Sequence, residues 1–290
     1  MINITNLTKK YGKKPVLDDV NLKIGNGMYG LLGENGAGKS TMIKILATVL
    51  GKSGGEIEID GIAIENVSNI RKMIGYMPQD FAFYPNYKVY EIMEYFSALS
   101  CVPIKMEKID KILSELNLLD EKHKKVKYLS GGMKRRLGIA VAIIHSPQVL
   151  LVDEPTVGLD PQERMNFRNL LVKLAKNRTI LLSTHIISDI EETCERLAIL
   201  HKGKVSFAGT QKELLKTGEG YVWEYVGSPD ETEAFESERD DIVIVSRRVF
   251  EGNSIIRFIS EHEKGDKSKP VEARLEDCYV GVINNKMKTG

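Results

Sequence analysis

Apolar positions along the chain switch repeatedly between strand-like and helical spacing. Val16, Val20, Leu22 and Ile24 form a β-like run that Gly25-Asn26-Gly27 interrupts. Residues 28–32 form a short continuous apolar run of the buried-strand type, and residues 41–46 read as a helix that starts soon after it. Ile57 and Ile59 alternate with acids, which predicts a half-buried strand over residues 56–60; residues 73–77 predict another, ending at Pro78. Residues 90–99 and 109–119 both carry apolar residues at helical spacing, with no strong strand between them, so residues 81–128 read as a helical insertion. Beyond it the pattern predicts a helix at 131–145, a strand at 149–152, a helix at 161–175, a strand at 179–182, a helix at 187–194 and a hairpin at 196–207. Strands alternating with helices imply an α/β fold, with a largely parallel sheet covered on both faces.

Near residue 217 the pattern changes. Thr217-Gly218-Glu219-Gly220 marks a boundary, and residues 221–226, 241–249 and 254–260 read as antiparallel strands. Glu251-Gly252-Asn253 is the hairpin turn between the last two. A charged loop over 261–269 and a short helix over 271–283 complete a small α+β unit. The expected organisation is therefore a first domain over 1–217, with a helical subdomain at about 81–148, and an accessory domain over 218–290.

Composition narrows the class. The 290 residues are 42% hydrophobic and 28% charged, which is ordinary for a soluble globular protein. A formal net charge of +1 gives no sign of a nucleic-acid-coating surface. The basic cluster Lys122-His123-Lys124-Lys125-Val126-Lys127 reads as a solvated face. Cys101, Cys194 and Cys278 are widely spaced and fit neither a disulfide framework nor a zinc site, which points to reduced thiols and a cytosolic setting. No apolar run approaches the ~18 residues of a membrane span, and no signal peptide is expected at the N-terminus. Work at a membrane would then need a membrane part supplied by another chain.

The chemistry concentrates in a few short stretches. Gly33-Glu34-Asn35-Gly36-Ala37-Gly38-Lys39-Ser40 fits G-x-x-x-x-G-K-[ST], a phosphate-binding loop between a strand and a helix that begins by Thr41. The glycines let successive N–H groups turn inward, and the helix N-terminus attracts anions. Lys39 can reach the β- and γ-phosphates of a bound nucleotide, and the Ser40 hydroxyl can ligate Mg²⁺. The apolar strand Val149-Leu150-Leu151-Val152 ends in Asp153 and Glu154. Asp153 can hold Mg²⁺ through its water shell, and Glu154 can orient or deprotonate an attacking water. Leu129-Ser130-Gly131-Gly132-Met133-Lys134-Arg135-Arg136 repeats the logic of an anion site, with Ser130 as cap and two glycines at a helix start.

With these residues the chain resembles the ATP-binding cassette family of P-loop NTPases. Leu129-Ser130-Gly131-Gly132 matches the start of the family signature LSGGQ, with Met133 where many members have Gln. Gln79 matches the Q-loop, Gly158-Leu159-Asp160 the D-loop and His185 the switch histidine, while Tyr11 lies where an aromatic residue stacks on adenine. The resemblance covers residues 1 to about 215. It implies ATP and Mg²⁺ as cofactors, with Ser40 and Gln79 on Mg²⁺ and Asp153 behind a water. It also implies Glu154 as catalytic base, His185 against the γ-phosphate, and Gln79 as a link to a partner. Ser130 and Gly132 would meet the γ-phosphate held by a second subunit, so ATP would join a head-to-tail dimer, either of two copies or with a paralogue.

Among family members the resemblance implies an ATPase subunit that drives a separate transmembrane permease from the cytoplasmic face of the membrane. Phe81, Phe83, Tyr84, Pro85 and Tyr87 offer an aromatic-rich docking segment, or else the insertion's own core. The alternatives are a soluble cassette ATPase acting on ribosomes or DNA, or the ATPase of an importer. A single cassette without a heptad run and with near-neutral charge counts against the first. Arg274-Leu275-Glu276-Asp277-Cys278-Tyr279 resembles the "LED-x-F/Y" ending of stand-alone exporter cassettes, which favours export.

Overall fold

Three sheets organise the computed structural model, which describes residues 1–100, 105–262, 265 and 267–287. Cys101 and three residues of the charged tract (263, 264 and 266) therefore lie outside the described residues. The chain opens with the antiparallel pair β1 (Ile2–Tyr11) and β2 (Lys14–Ile24), followed by β3 (Gly27–Leu32) and α1 (Lys39–Leu46). β4 (Gly54–Ile59) and β5 (Ile62–Ala63) complete a four-stranded antiparallel sheet of order β2-β1-β4-β5. Then come α2 (Val67–Met73), β6 (Ile74–Met77), α3 (Val89–Leu99), α4 (Met106–Glu115) and α5 (Gly131–Ala142). β7 (Val149–Asp153), α6 (Pro161–Ala175), β8 (Thr179–Thr184) and α7 (Ile187–Glu191) lead to the hairpin β9 (Arg196–His201) and β10 (Lys204–Thr210).

The second sheet has the order β10-β9-β3-β8-β7-β6, parallel throughout except for edge strand β10. Every residue of β7 and β8 is buried, as expected of central parallel strands with both faces covered. Alternate residues separate into two cores. Leu31, Leu151, Leu181 and Leu200 face the antiparallel sheet and α1, while Leu32, Leu150, Val152, Leu182 and Ile199 face the α3–α6 side. The register that matters most pairs Leu32 with Thr184 and Asp153 with Ser183. It brings the C-terminal ends of β3, β8 and β7 side by side on one edge of the sheet, where ligands of open α/β sheets bind.

The C-terminal stretch contains α8 (Gln211–Thr217), β11 (Val222–Gly227), α9 (Pro229–Ser237), β12 (Val243–Phe250), β13 (Asn253–Ile259), β14 (Ser268–Pro270) and α10 (Leu275–Ile283). Its sheet, of order β12-β13-β11-β14, has a small core of Phe235, Ile242, Ile256 and Phe258, with Tyr225 and Phe235 stacked at 4.1 Å. Val222, Ile259, Leu275, Cys278 and Val282 instead join the same core as Ile190 and Leu197, so this unit packs onto the preceding α/β part along α10. Cys194 and Cys278 are buried free thiols.

Several element boundaries differ from the periodicity. α2 and α9 were not expected; both are short, and α9 is set mainly by its cap, with Ser228 accepting from Glu231 N and Pro229 in the first turn. The helix expected over 187–194 ends at Glu191, and that over 131–145 ends at Ala142, with Ser146 left-handed soon after. The charged tract is not wholly an exposed loop, because Ser268 is buried and opens β14 against β11. The last helix starts at Leu275 rather than at 271: Asp277 reaches back to accept from Arg274 N at 2.6 Å and sets the helix start there.

Candidate functional site

The phosphate loop owes its shape to backbone that only glycine accommodates freely. Gly36 (φ +84°) and Gly38 (φ +111°) are left-handed, and a Cβ on Gly38 would lie 2.9 Å from the Val16 carbonyl oxygen. At Gly33 a Cβ would lie 2.3 Å from the Leu200 carbonyl oxygen, so the turn out of β3 can press against β9 only without a side chain. Ala37 N donates to the Glu34 carbonyl at 3.2 Å and closes the turn. Asn35 lies exposed in that turn, and Thr41 follows in the first turn of α1.

Lys39, buried at the start of α1, donates to the Gly33 carbonyl at 2.7 Å and the Glu34 carbonyl at 3.1 Å. Its ammonium also stands 3.1 Å from Glu154 Oε1. The other Glu154 oxygen, Oε2, is 2.8 Å from His185 Nδ1. Glu154 is a non-glycine residue with φ +47°, held there by its N–H donating to the Ser183 carbonyl at 3.0 Å. Backbone of this kind is strained and clusters at functional sites. Ser40 Oγ donates to Asp153 Oδ1 at 3.1 Å, and Ser183 Oγ donates to the same oxygen. Burial, helped by the nearby Asp153 charge, pushes the Tyr76 phenol up to about 12, so it stays protonated beside the carboxylate. Lys39, Ser40, Asp153, Glu154 and His185 thus meet in one place.

Other expected residues sit apart from that cluster. Ser130 caps α5 by accepting from Met133 N at 3.2 Å. Gly132 faces α6, where a Cβ would lie 2.3 Å from Glu163 Oε2; Gly131 next to it is open. Among the described residues no hydrogen bond or ion pair joins Ser130, Gly131 or Gly132 to the phosphate loop. Asp160 caps α6 by accepting from Glu163 N at 2.9 Å, after the left-handed turn at Gly158. Tyr11 is exposed at the end of β1, with Lys9 Nζ 5.2 Å over its ring. Gln79 is exposed and enters the network through its backbone, the carbonyl accepting from Arg135 Nη1 at 2.9 Å.

Arg135 and Ser183 carry structure that motif reading did not assign. The second Arg135 nitrogen donates to the Val157 carbonyl at 3.2 Å, so one guanidinium ties the segment after β6 to the segment after β7. Burial lowers its pKa, but an arginine remains charged. No local signal marks either role, because both partners are backbone or lie on another strand. Phe81 and Phe83 pack edge to face at 5.3 Å against the α3–α6 core, leaving Tyr84 and Tyr87 exposed.

Comparison with known proteins agrees with this geometry. Residues 17–157 match the family model described as ABC transporter. The bacitracin transport ATP-binding protein BcrA of Bacillus licheniformis is 39% identical over 209 residues, covering 71% of this chain and 68% of that protein. The chain belongs to the ABC transporter family. Within it, the chain is an ATP-binding cassette of the ATP-hydrolysing subunits. The Nod factor export ATP-binding protein I of Rhizobium meliloti (strain 1021) is 34% identical over 305 residues, covering 99% of this chain and 89% of that protein. A dimeric structure of the ABC transporter cassette MJ0796 superposes with a TM-score of 0.65 at 28% identity, over 72% of this chain and 98% of that one. The same cassette is known in a dimeric post-hydrolysis state bound to ADP and Pi. Among the described residues no helix is long and apolar enough to cross a membrane.

Proposed function

We propose that this cassette is the ATPase of an exporter, pairing with a second cassette around MgATP and driving a separate permease on the cytoplasmic face of the membrane. The observation that carries the reading is the convergence of Lys39, Ser40, Asp153, Glu154 and His185 at the ends of three adjacent parallel strands. Residues 1–217 act as the cassette and 218–290 as an accessory unit. A family relative that aligns over 99% of the chain, accessory unit included, is named for export, which favours that direction.

The contacts within the cluster support its roles, and the family resemblance supplies those of the residues outside it. Gly33, Gly36, Gly38 and Lys39 surround the triphosphate, with Glu34, Asn35, Ala37 and Thr41 completing the loop and Tyr11 against the base. The Lys39 ammonium exchanges the Glu154 carboxylate for β- and γ-phosphate oxygens. Glu154, released from Lys39 and oriented by His185, takes the proton of the water that attacks the γ-phosphorus; the bond to the β-phosphate oxygen breaks and ADP leaves. The Ser40 hydroxyl and the Gln79 side chain would ligate Mg²⁺, with the Asp153 carboxylate, 3.1 Å from Ser40 Oγ, holding it through a water; these are the oxygen donors that Mg²⁺ favours. When bound, Mg²⁺ neutralises phosphate charge. Ser130, Gly131 and Gly132, apart from the loop in one chain, serve the nucleotide of the second cassette, with Asp160 at the seam between the two. Tyr84 and Tyr87 present an exposed aromatic face suited to a permease.

The test is recovery of tagged Glu154→Gln protein, with ATP, from mild-detergent extracts of its native membranes, read by mass spectrometry. A multi-span membrane protein in near-stoichiometric amount is the expected result. Ribosomal or DNA-associated proteins without a membrane partner would overturn the reading.

A further inference from the structure

Behind the catalytic cluster, and touching none of the phosphate-loop residues, lies a fully buried carboxylate. Asp189, on α7, accepts from Thr156 Oγ1 at 2.5 Å and from Thr184 Oγ1 at 3.4 Å on Oδ2, while Arg168 Nη1 of α6 donates to Oδ1 at 3.1 Å. Thr156 is two residues past Glu154, and Thr184 is the residue before His185. The Thr184 hydroxyl also accepts from Ile186 N at 3.0 Å, on the other side of His185. Thr156 is itself fully buried, and its carbonyl accepts from Leu159 N at 3.2 Å in the turn that leads to Asp160. The second Arg168 nitrogen reaches Glu192 at 2.6 Å, which fixes the guanidinium across α6 and α7.

We propose that Asp189 is a positioning residue for hydrolysis, holding the Glu154 segment and the His185 segment at a fixed separation. The proposal rests on the reading of Glu154 as base and His185 as its partner. The two segments continue the parallel pair β7 and β8, whose last ties are Glu154 N to the Ser183 carbonyl and Ser183 Oγ to Asp153. Past these ties each segment leaves the ladder. The two threonine hydroxyls on one Asp189 oxygen join the segments again on the buried side, and Arg168 prevents that carboxylate from turning. The 2.8 Å contact between Glu154 and His185 depends on both segments together, and a displacement of about 1 Å is enough to lower a rate severely. A buried ion pair of this kind is weak as a source of stability compared with apolar packing. Its directional bonds set geometry. α7 also packs against α10, so the accessory unit leans on the element that carries Asp189.

The test compares steady-state ATP hydrolysis and thermal unfolding of the full chain carrying Thr156→Val, Thr156→Ser, Asp189→Asn or Glu154→Gln. Thr156→Val keeps the shape and removes one hydroxyl. Its kcat is expected to fall about tenfold, with KM for ATP within about twofold of the parent, at a temperature well below an unfolding midpoint that falls only modestly. Thr156→Ser, which restores the hydroxyl, is expected to recover most of the rate. Asp189→Asn is expected to fall further in kcat; if it fails to fold, the Thr156 pair decides. Thr156→Val at full kcat beside an inactive Glu154→Gln protein would overturn the proposal alone. A fall in kcat that merely tracks a lowered midpoint, with no recovery in Thr156→Ser, would overturn it as well. Wild-type hydrolysis by Glu154→Gln would overturn the site reading and the proposal with it.

Discussion

Lys39 Nζ stands 3.1 Å from Glu154 Oε1, and both side chains are buried. The lysine of the phosphate loop and the acid at the end of β7 therefore neutralise one another across the site. On the proposed roles, a triphosphate would compete with Glu154 for this cation, and the competition would free the carboxylate beside the nucleotide. That reading links nucleotide binding and activation of the proposed base through one ammonium group.

Glu154→Gln keeps the shape and removes the basic charge. Its kcat is expected to fall by about 10²–10⁴ while ATP binding persists, because Lys39 no longer has a carboxylate to leave. Phosphate release checks the rate. Size-exclusion chromatography in MgATP checks for a stable dimer of the variant, and a protein that stays monomeric there would contradict the pairing.

Gly38→Ala and Gly36→Ala separate two costs. Both residues are left-handed, but only at Gly38 would the new methyl meet atoms, the Val16 carbonyl oxygen and Leu17 Cδ2 at 2.8 Å. Gly36→Ala is expected to cost about 1–2 kcal/mol from backbone conformation alone. Gly38→Ala is expected to cost more and to abolish nucleotide binding. Denaturant unfolding and a fluorescent ATP analogue measure the two effects.

Asp277→Ala probes how the accessory unit is held. Arg257, buried on β13, is gripped by both Asp277 oxygens, at 2.8 and 2.7 Å, with Glu224 at 3.1 Å. These acids raise its pKa, the hydrogen bonds to Asp277 foremost. Removing Asp277 leaves a buried charge half-compensated and also strips the Arg274 N–H of its cap. A loss of about 3–5 kcal/mol is expected in chemical denaturation. A loss under 1 kcal/mol would mean that Glu224 suffices.

His145 predicts an acid limb in stability. Burial lowers its pKa below 6.5, helped by Lys108 and opposed by the hydrogen bond to the Ile74 carbonyl at 2.9 Å. The unfolded chain therefore takes up a proton at higher pH than the native protein. Stability is full above about pH 6.5 and falls as pH drops from there toward the native pKa. His145→Gln is expected to flatten that part of the profile, measured as unfolding free energy between pH 7.5 and 5.5.

The central strands, the long helices and the loop Gly33 to Ser40 were legible in residue order because each depends on neighbours a few positions away. The periodicity of Val149 to Asp153 and the glycine spacing of the loop carry their own geometry. Weak local signals failed: α9 has few apolar residues to betray it, and β14 forms only because β11 offers an edge to Ser268 through Pro270. The contacts among the candidate site residues were not legible. Ser40 meets Asp153 across 113 positions because strand order places β8 between β3 and β7, and a periodic pattern does not encode strand order. The left-handed Glu154, the Arg135 tie between two loops and the buried Asp189 arise from the same source. Residue types and their spacing name the chemistry, since phosphate and Mg²⁺ recognition needs particular groups close together in the chain. Which groups touch is settled by sheet order and packing, since buried charges and strained backbone persist only where distant elements hold them.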